Sequence, residues 1–165
     1  MPFDYEANLD AVANALSNYN TTTANPDLSS GLTSRIKNVF KNDPEVASIK
    51  NLDLPSVYVR IASKDEDYES LGGTGPTGNR KRGSVTYDII GLYMKDGAVD
   101  PHSTLLTETY RLAENIEGVF QAEYQLSNTA LWCNPASTNF SPSFGYQGAL
   151  VKGVLIQLRA EYFFR

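Results

Sequence analysis

Two periods of apolar residues alternate along this chain. Leu9, Val12, Ala13, Leu16 and Tyr19 recur at three and four residues and predict an amphipathic helix over 5–19. The polar run Asn18–Thr23 and then Asn25-Pro26-Asp27 break it. Leu32, Ile36, Val39 and Phe40 predict a second helix over 29–41, closed by Asp43-Pro44 because the residue before proline disfavours the helical well. The period then drops to two. Val57, Val59 and Ile61 alternate with Tyr58 and Arg60 in a strand over 54–61, and Ser84–Met94 is a second, longer β-branched and aromatic run. The wide loop between them makes an antiparallel hairpin the simplest arrangement.

Asp100-Pro101 supplies an N-cap and a first-turn proline for a third helix. Its stripe is Leu105, Thr109, Leu112, Ile116, Val119 and Phe120, with Glu108, Glu114 and Glu117 mostly off it, and it ends near Leu126-Ser127-Asn128. Residues 130–146 read as a short irregular strand with turns at Asn134-Pro135 and Ser141-Pro142. From Ala149 to Phe163, Val154, Ile156, Leu158 and Tyr162 point one way and Gln157, Arg159 and Glu161 the other, the mark of a long central strand. Helices interrupting pairs of strands argue for an α+β fold: a mostly antiparallel sheet of about four strands packed by helices, with a long hairpin loop at about 63–83. At 165 residues the chain suits one domain, with a helical part over about 1–45 and a sheet–helix part over about 54–165.

Composition narrows the function classes. The net charge of −5 repels nucleic acid unless a local basic patch overrides it. A single cysteine, Cys133, excludes an internal disulfide, and its place after Trp132 suits a core residue. No apolar run approaches the ~20 residues of a membrane span. MPFDYEANLDAV lacks the basic and apolar regions of a signal peptide, so a soluble protein that stays in the cytoplasm is expected.

The stretch LGGTGPTGNRKRG at 71–83 tests the idea of a phosphate cradle. Gly73 and Gly78 have P-loop spacing, but Asn79 and Arg80 stand where Lys and Ser/Thr belong, and a strand follows instead of a helix. The glycines then serve a hairpin loop. Arg80, Lys81 and Arg82 are either solvated or meet an acidic surface, in particular Asp65, Glu66, Asp67 and Glu69 of a neighbouring copy. Catalysis has little to work with. His102 is the only histidine and sits at a helix start, and no carboxylate pair has a spacing that forces it together. No catalytic, cofactor or metal residue is assigned, and no cofactor is expected. The strand tyrosines Tyr58, Tyr87, Tyr93 and Tyr162 are accounted for by packing and not by base stacking.

The order of elements, with LPSVYVRIA at 54–62, GSVTYDIIGLYM at 83–94, LLTETYRLAENIEGVF at 105–120 and GVLIQLRAEYFFR at 153–165, resembles the tail-terminator proteins of long-tailed bacteriophages and their neck and tail-completion relatives. The resemblance covers most of the chain from about residue 32 and is one of element order and hydrophobic pattern, without a catalytic signature. It implies a virion protein, made in the host cytoplasm, that forms a hexameric ring. That ring would cap the head-proximal end of the tail tube, stop tube growth and join the tail to the head connector. Its implied partners are further copies of itself, the tube protein and the connector or adaptor protein. Genomic DNA would pass through the lumen without sequence-specific contact, and no membrane is involved. A head-closure or adaptor ring of the same neck is the near alternative, since related folds serve both places. A small-molecule-binding module would need an enclosed pocket, and a carboxylate enzyme would need acidic groups with raised pKa values in a cleft.

Overall fold

The computed structural model describes residues 3–21, 36, 38–44, 55–67, 81–96, 101–146 and 148–164. The elements are α1 (Tyr5–Thr21), β1 (Asn38–Phe40), β2 (Ser56–Asp67), β3 (Lys81–Asp96), α2 (Pro101–Ala122), β4 (Trp132–Phe140), β5 (Phe144–Tyr146) and β6 (Ala149–Phe164). They form one α+β domain around a mixed, mostly antiparallel sheet ordered β1-β2-β3-β6-β4, with β5 also pairing β6. Among the described residues the sheet has six strands, against the four expected, because β1 and β5 are only three residues each.

β6 is the axis of the sheet. It pairs antiparallel with β3 from Lys81↔Phe164 to Asp96↔Ala149, and on its other side with β4. The period-2 pattern sorts its side chains as the sequence indicates: Val154, Ile156, Leu158, Ala160 and Tyr162 are buried under the helices, in line with Val85, Tyr87 and Ile89 of β3. α1 lies over β1 and β2, and α2 over β3, β6 and β4. The stripe Leu105, Thr109, Leu112, Ile116, Val119 and Phe120 is wholly buried. α2 comes close because β3 carries Gly91 beneath it. A Cβ there would stand 3.0 Å from Val154 and 3.1 Å from Leu112 and Ile116. α1 is capped by Asp4, whose Oδ1 accepts from the Ala7 N–H at 3.0 Å.

Five expectations give way. The helix over 29–41 is contradicted at its end, where Asn38–Phe40 is a strand parallel to Ser56–Tyr58; residues 29–35 and 37 lie outside the described set. Val39 packs toward the core while Phe40 stacks on Tyr58 on the opposite face, 5.0 Å between ring centroids. Alternation along three residues is invisible in a window wide enough to show a helix, and pairing to β2 decides the outcome. The long loop at 63–83 is shorter than expected. β2 and β3 pair as far as Asp67↔Arg82, with a bulge between Ile61 and Ser63, so both flanks of the supposed loop are strand.

The third helix stops at Ala122, and Leu126, Ser127 and Asn128 form a left-handed turn with φ of 46°, 56° and 68°. Burial of Leu126 and the Thr129 Oγ1 bond to the Leu126 carbonyl (2.6 Å) hold that turn in place. Asn134-Pro135 is no turn but part of β4, where an edge strand with a bulge between Pro135 and Ser137 tolerates proline. Glu108, expected off the stripe, is buried and accepts from Arg111 Nη1 at 3.0 Å.

Candidate interaction surface

The face of the sheet away from the helices carries a polar belt. In register across four strands stand Arg60, Asp88, Gln157 and Ser137. Asp88 Oδ2 accepts from Arg60 Nε at 3.0 Å and Nη2 at 2.8 Å. Gln157 Nε2 reaches Asp88 Oδ1 at 3.4 Å, and Ser137 Oγ donates to Gln157 Oε1 at 3.1 Å. Arg60 Nη1 also donates to Asp43, just beyond β1, at 2.8 Å. Asp88 is buried although no described helix covers it, and its desolvation is offset by a fork of charged donors. The two carboxylates raise the Arg60 pKa, Asp88 foremost through its hydrogen bond, so the cation is fixed. Beside the belt lies an apolar group of Tyr58, Leu92, Phe40, Ile90 and Met94.

The residues singled out in the sequence fall at the far end of this sheet. Asp65 and Glu66 are exposed on β2, and Asp67 ends that strand opposite Arg82. Glu66 pairs with Lys64 of its own strand. Lys81 opens β3, and Arg82 donates through Nε to Glu161 Oε2 at 2.7 Å. Glu69 and Arg80 lie outside the described residues. The three basic residues are therefore not one loop cluster: two belong to a strand, and Arg82 already has a carboxylate partner on β6. The start of β3 at Lys81 agrees with the positional argument against a P-loop, while the glycines themselves are outside the described set.

Among the described residues the sheet has open edge tracts on both sides, the outer edges of the three-residue strands β1 and β5 among them. On one side, no described strand flanks β2 beyond Tyr58. On the other side is β4. Its first half is blunted, because the Cys133 N–H is taken by the Tyr124 carbonyl at 2.6 Å, Pro135 has no N–H, and a bulge follows. The Ser141 N–H points inward to Gly153 O at 2.9 Å. By alternation the backbone groups of Thr138 and Phe140 point outward. Beside the bulge, reaching the open half only at Thr138, runs a shallow groove of about 300 Å³, lined by Glu117 and Gln121 of α2 and by residues 134–138. Phe140 meets Tyr110 edge-on at 4.8 Å, and both rings are more than two-fifths exposed.

Three titratable groups of the core are held in their neutral forms. Burial pushes the Cys133 thiol up to about 12, and its Sγ faces the Glu123 carbonyl at 3.6 Å. Tyr87 and Tyr162 share a buried O···O contact of 2.7 Å; burial raises both, Tyr162 to about 12 and Tyr87 further. Among the described residues no group of three or more His, Cys, Asp or Glu side chains could hold a metal. No described helix is long and apolar enough to cross a membrane. Compared with models of known families and with curated proteins, the sequence matches none.

Sequence reasoning missed the belt and the edges. Arg60, Asp88 and Gln157 could be seen as outward positions of strands, but their alignment depends on register, which the bulge at 61–63 shifts.

Proposed function

We propose that this protein is a structural virion subunit. It forms a hexameric ring that caps the head-proximal end of a phage tail tube, ends tube growth and presents a surface to the head connector. The observation that carries the reading is that, among the described residues, one sheet has open edge tracts on opposite sides and the two described helices on a single face. A subunit of that form can repeat head to tail, the heterologous arrangement that rings require. The resemblance in element order and hydrophobic pattern supports the phage assignment, and the chain's net charge of −5 suits a lumen through which DNA slides. Asp65, Glu66, Asp67, Glu69, Arg80, Lys81 and Arg82 are assigned to contacts between subunits or between stacked rings.

The test is native mass spectrometry over a concentration series with negative-stain microscopy, followed by addition of purified tail tubes. Six-fold rings, and tubes whose growth stops when the protein is added, are expected. Tubes that keep growing and never carry a ring at their end would overturn the reading. Binding instead to a purified portal-side adaptor would move the ring to the head-closure position.

A further inference from the structure

We propose that the open half of β4 takes the outer edge of β2 from a second copy as an added antiparallel strand. The proposal deepens the ring reading and rests on it for closure of the ring, while the pairing itself is tested separately.

Three observations point to that occupant. The first is sense. Across the sheet β2, β3, β6 and β4 run alternately, so β4 runs opposite to β2. A copy moved sideways along the sheet, without being turned over, lays its β2 antiparallel against β4 and keeps the helix faces together. The second is which side chains meet. Thr138 and Phe140 stand on the helix face, since Thr138 bonds Glu117 and Phe140 packs on Tyr110. On β2 the bulge between Ile61 and Ser63 sets Ile61 and Lys64 on that same face, at successive positions of it. Ile61 packs toward the core, and Lys64 Nζ stands 5.3 Å from the Phe3 ring centroid. In the antiparallel sense, Ile61 of the second copy comes to Phe140 and Tyr110 as its Lys64 comes to Thr138 and Glu117.

The third observation is complementarity. Among the described residues the groove beside β4 is lined by a carboxylate, Glu117, and by no cation. The β2 edge offers Lys64, held in its own chain by Glu66 and by the faces of Phe3 and Tyr5, and that pairing raises its pKa so that it stays charged. A second carboxylate joins an existing ion cluster there. Apolar surface matches as well: Leu106, Tyr110 and Phe140 are exposed beside β4, and Tyr5 is half exposed beside Lys64. Strand addition satisfies the outward groups of Thr138 and Phe140 through the main chain, and the side chains set which edge is accepted.

The experiment measures self-association of the full chain by light scattering and native mass spectrometry. It compares wild type, Glu117→Lys, Lys64→Glu and the double swap. Each single change is expected to move the association midpoint at least about tenfold to higher concentration, and the double swap to restore most of it. Hydrogen exchange of wild type should show Thr138 and Phe140 amides gaining protection as concentration rises, a readout that survives if Lys64→Glu fails to fold. A chain that stays monomeric throughout, or Thr138 and Phe140 amides that gain no protection as copies assemble, overturns the pairing. Rings that close normally in both single variants overturn the pairing and leave the ring reading standing. Copies that pair as described but never cap a tube do the reverse.

Discussion

The two faces of the sheet hold together by different physics. Beneath the helices, twenty-four of the described residues form one buried cluster, and specificity comes from shape: Gly91 sits where Leu112, Ile116 and Val154 leave no room for a methyl group. On the open face, specificity comes from direction. The Arg60–Asp88–Gln157–Ser137 belt is satisfied only when four strands are in one register, since a slip of one residue turns each side chain to the other face. An apolar face tolerates a small slide better than a chain of hydrogen bonds does. The belt is therefore the better guard of register, and the core the larger source of stability.

The largest expected effect tests the core. Phe120→Ala should cost about 3–5 kcal/mol by chemical denaturation, because Phe120 is fully buried and the cavity cannot refill. A loss under about 1 kcal/mol would mean the helix face is more plastic than its packing implies. Asp88→Ala comes next, at about 1–3 kcal/mol, since it strands the Gln157 amide and the Nε and Nη2 donors of Arg60. The Arg60 side is half exposed and water softens its share. A double-mutant cycle with Arg60→Ala should show positive coupling, and additive losses would mean the belt is decoration on a register fixed elsewhere.

A third effect separates the faces by pH. The Cys133 thiol and the Tyr162 phenol are raised on folding from ordinary values of 9.0 and 10.0 to about 12. The unfolded chain loses these protons first, so stability is level below about pH 9 and falls as pH rises above it. Tyr162→Phe should make that alkaline fall shallower in a pH series of thermal melts, whereas Asp88→Asn should not. The smallest effect lies outside both faces. Ser127→Gly should gain about 0.5–1 kcal/mol, because a left-handed φ of 56° costs serine what it does not cost glycine.

Much of the architecture was legible in the sequence. The stripe from Leu105 to Phe120 and the alternation in β6 each span enough residues for the period to declare itself, and both ended up buried as read. What escaped were features decided by a partner in space. β1 is a strand because β2 lies beside it, and three residues show no period. The strand extensions at Ser63–Asp67 and Lys81–Arg82 are polar, so hydropathy gives no sign of them, yet they pair to the end. Glu108 is buried at a charged position because Arg111 reaches it from one turn on. The acidic and basic residues proposed for contacts were visible as composition, but Arg82 meeting Glu161 required the β3–β6 register.

The place of β6 has a consequence for synthesis. It is an inner strand of the sheet, paired along both of its edges, and it is the last of these strands to leave the ribosome. Until it emerges, β3 and β4 each show an unpaired edge, and the apolar stripe of α2 has half a floor. Translation at roughly 5–20 residues per second leaves the β2–β3 hairpin in that state for some seconds. The nascent chain is then open to strand pairing with other copies, and insertion of β6 ends that exposure in a single step.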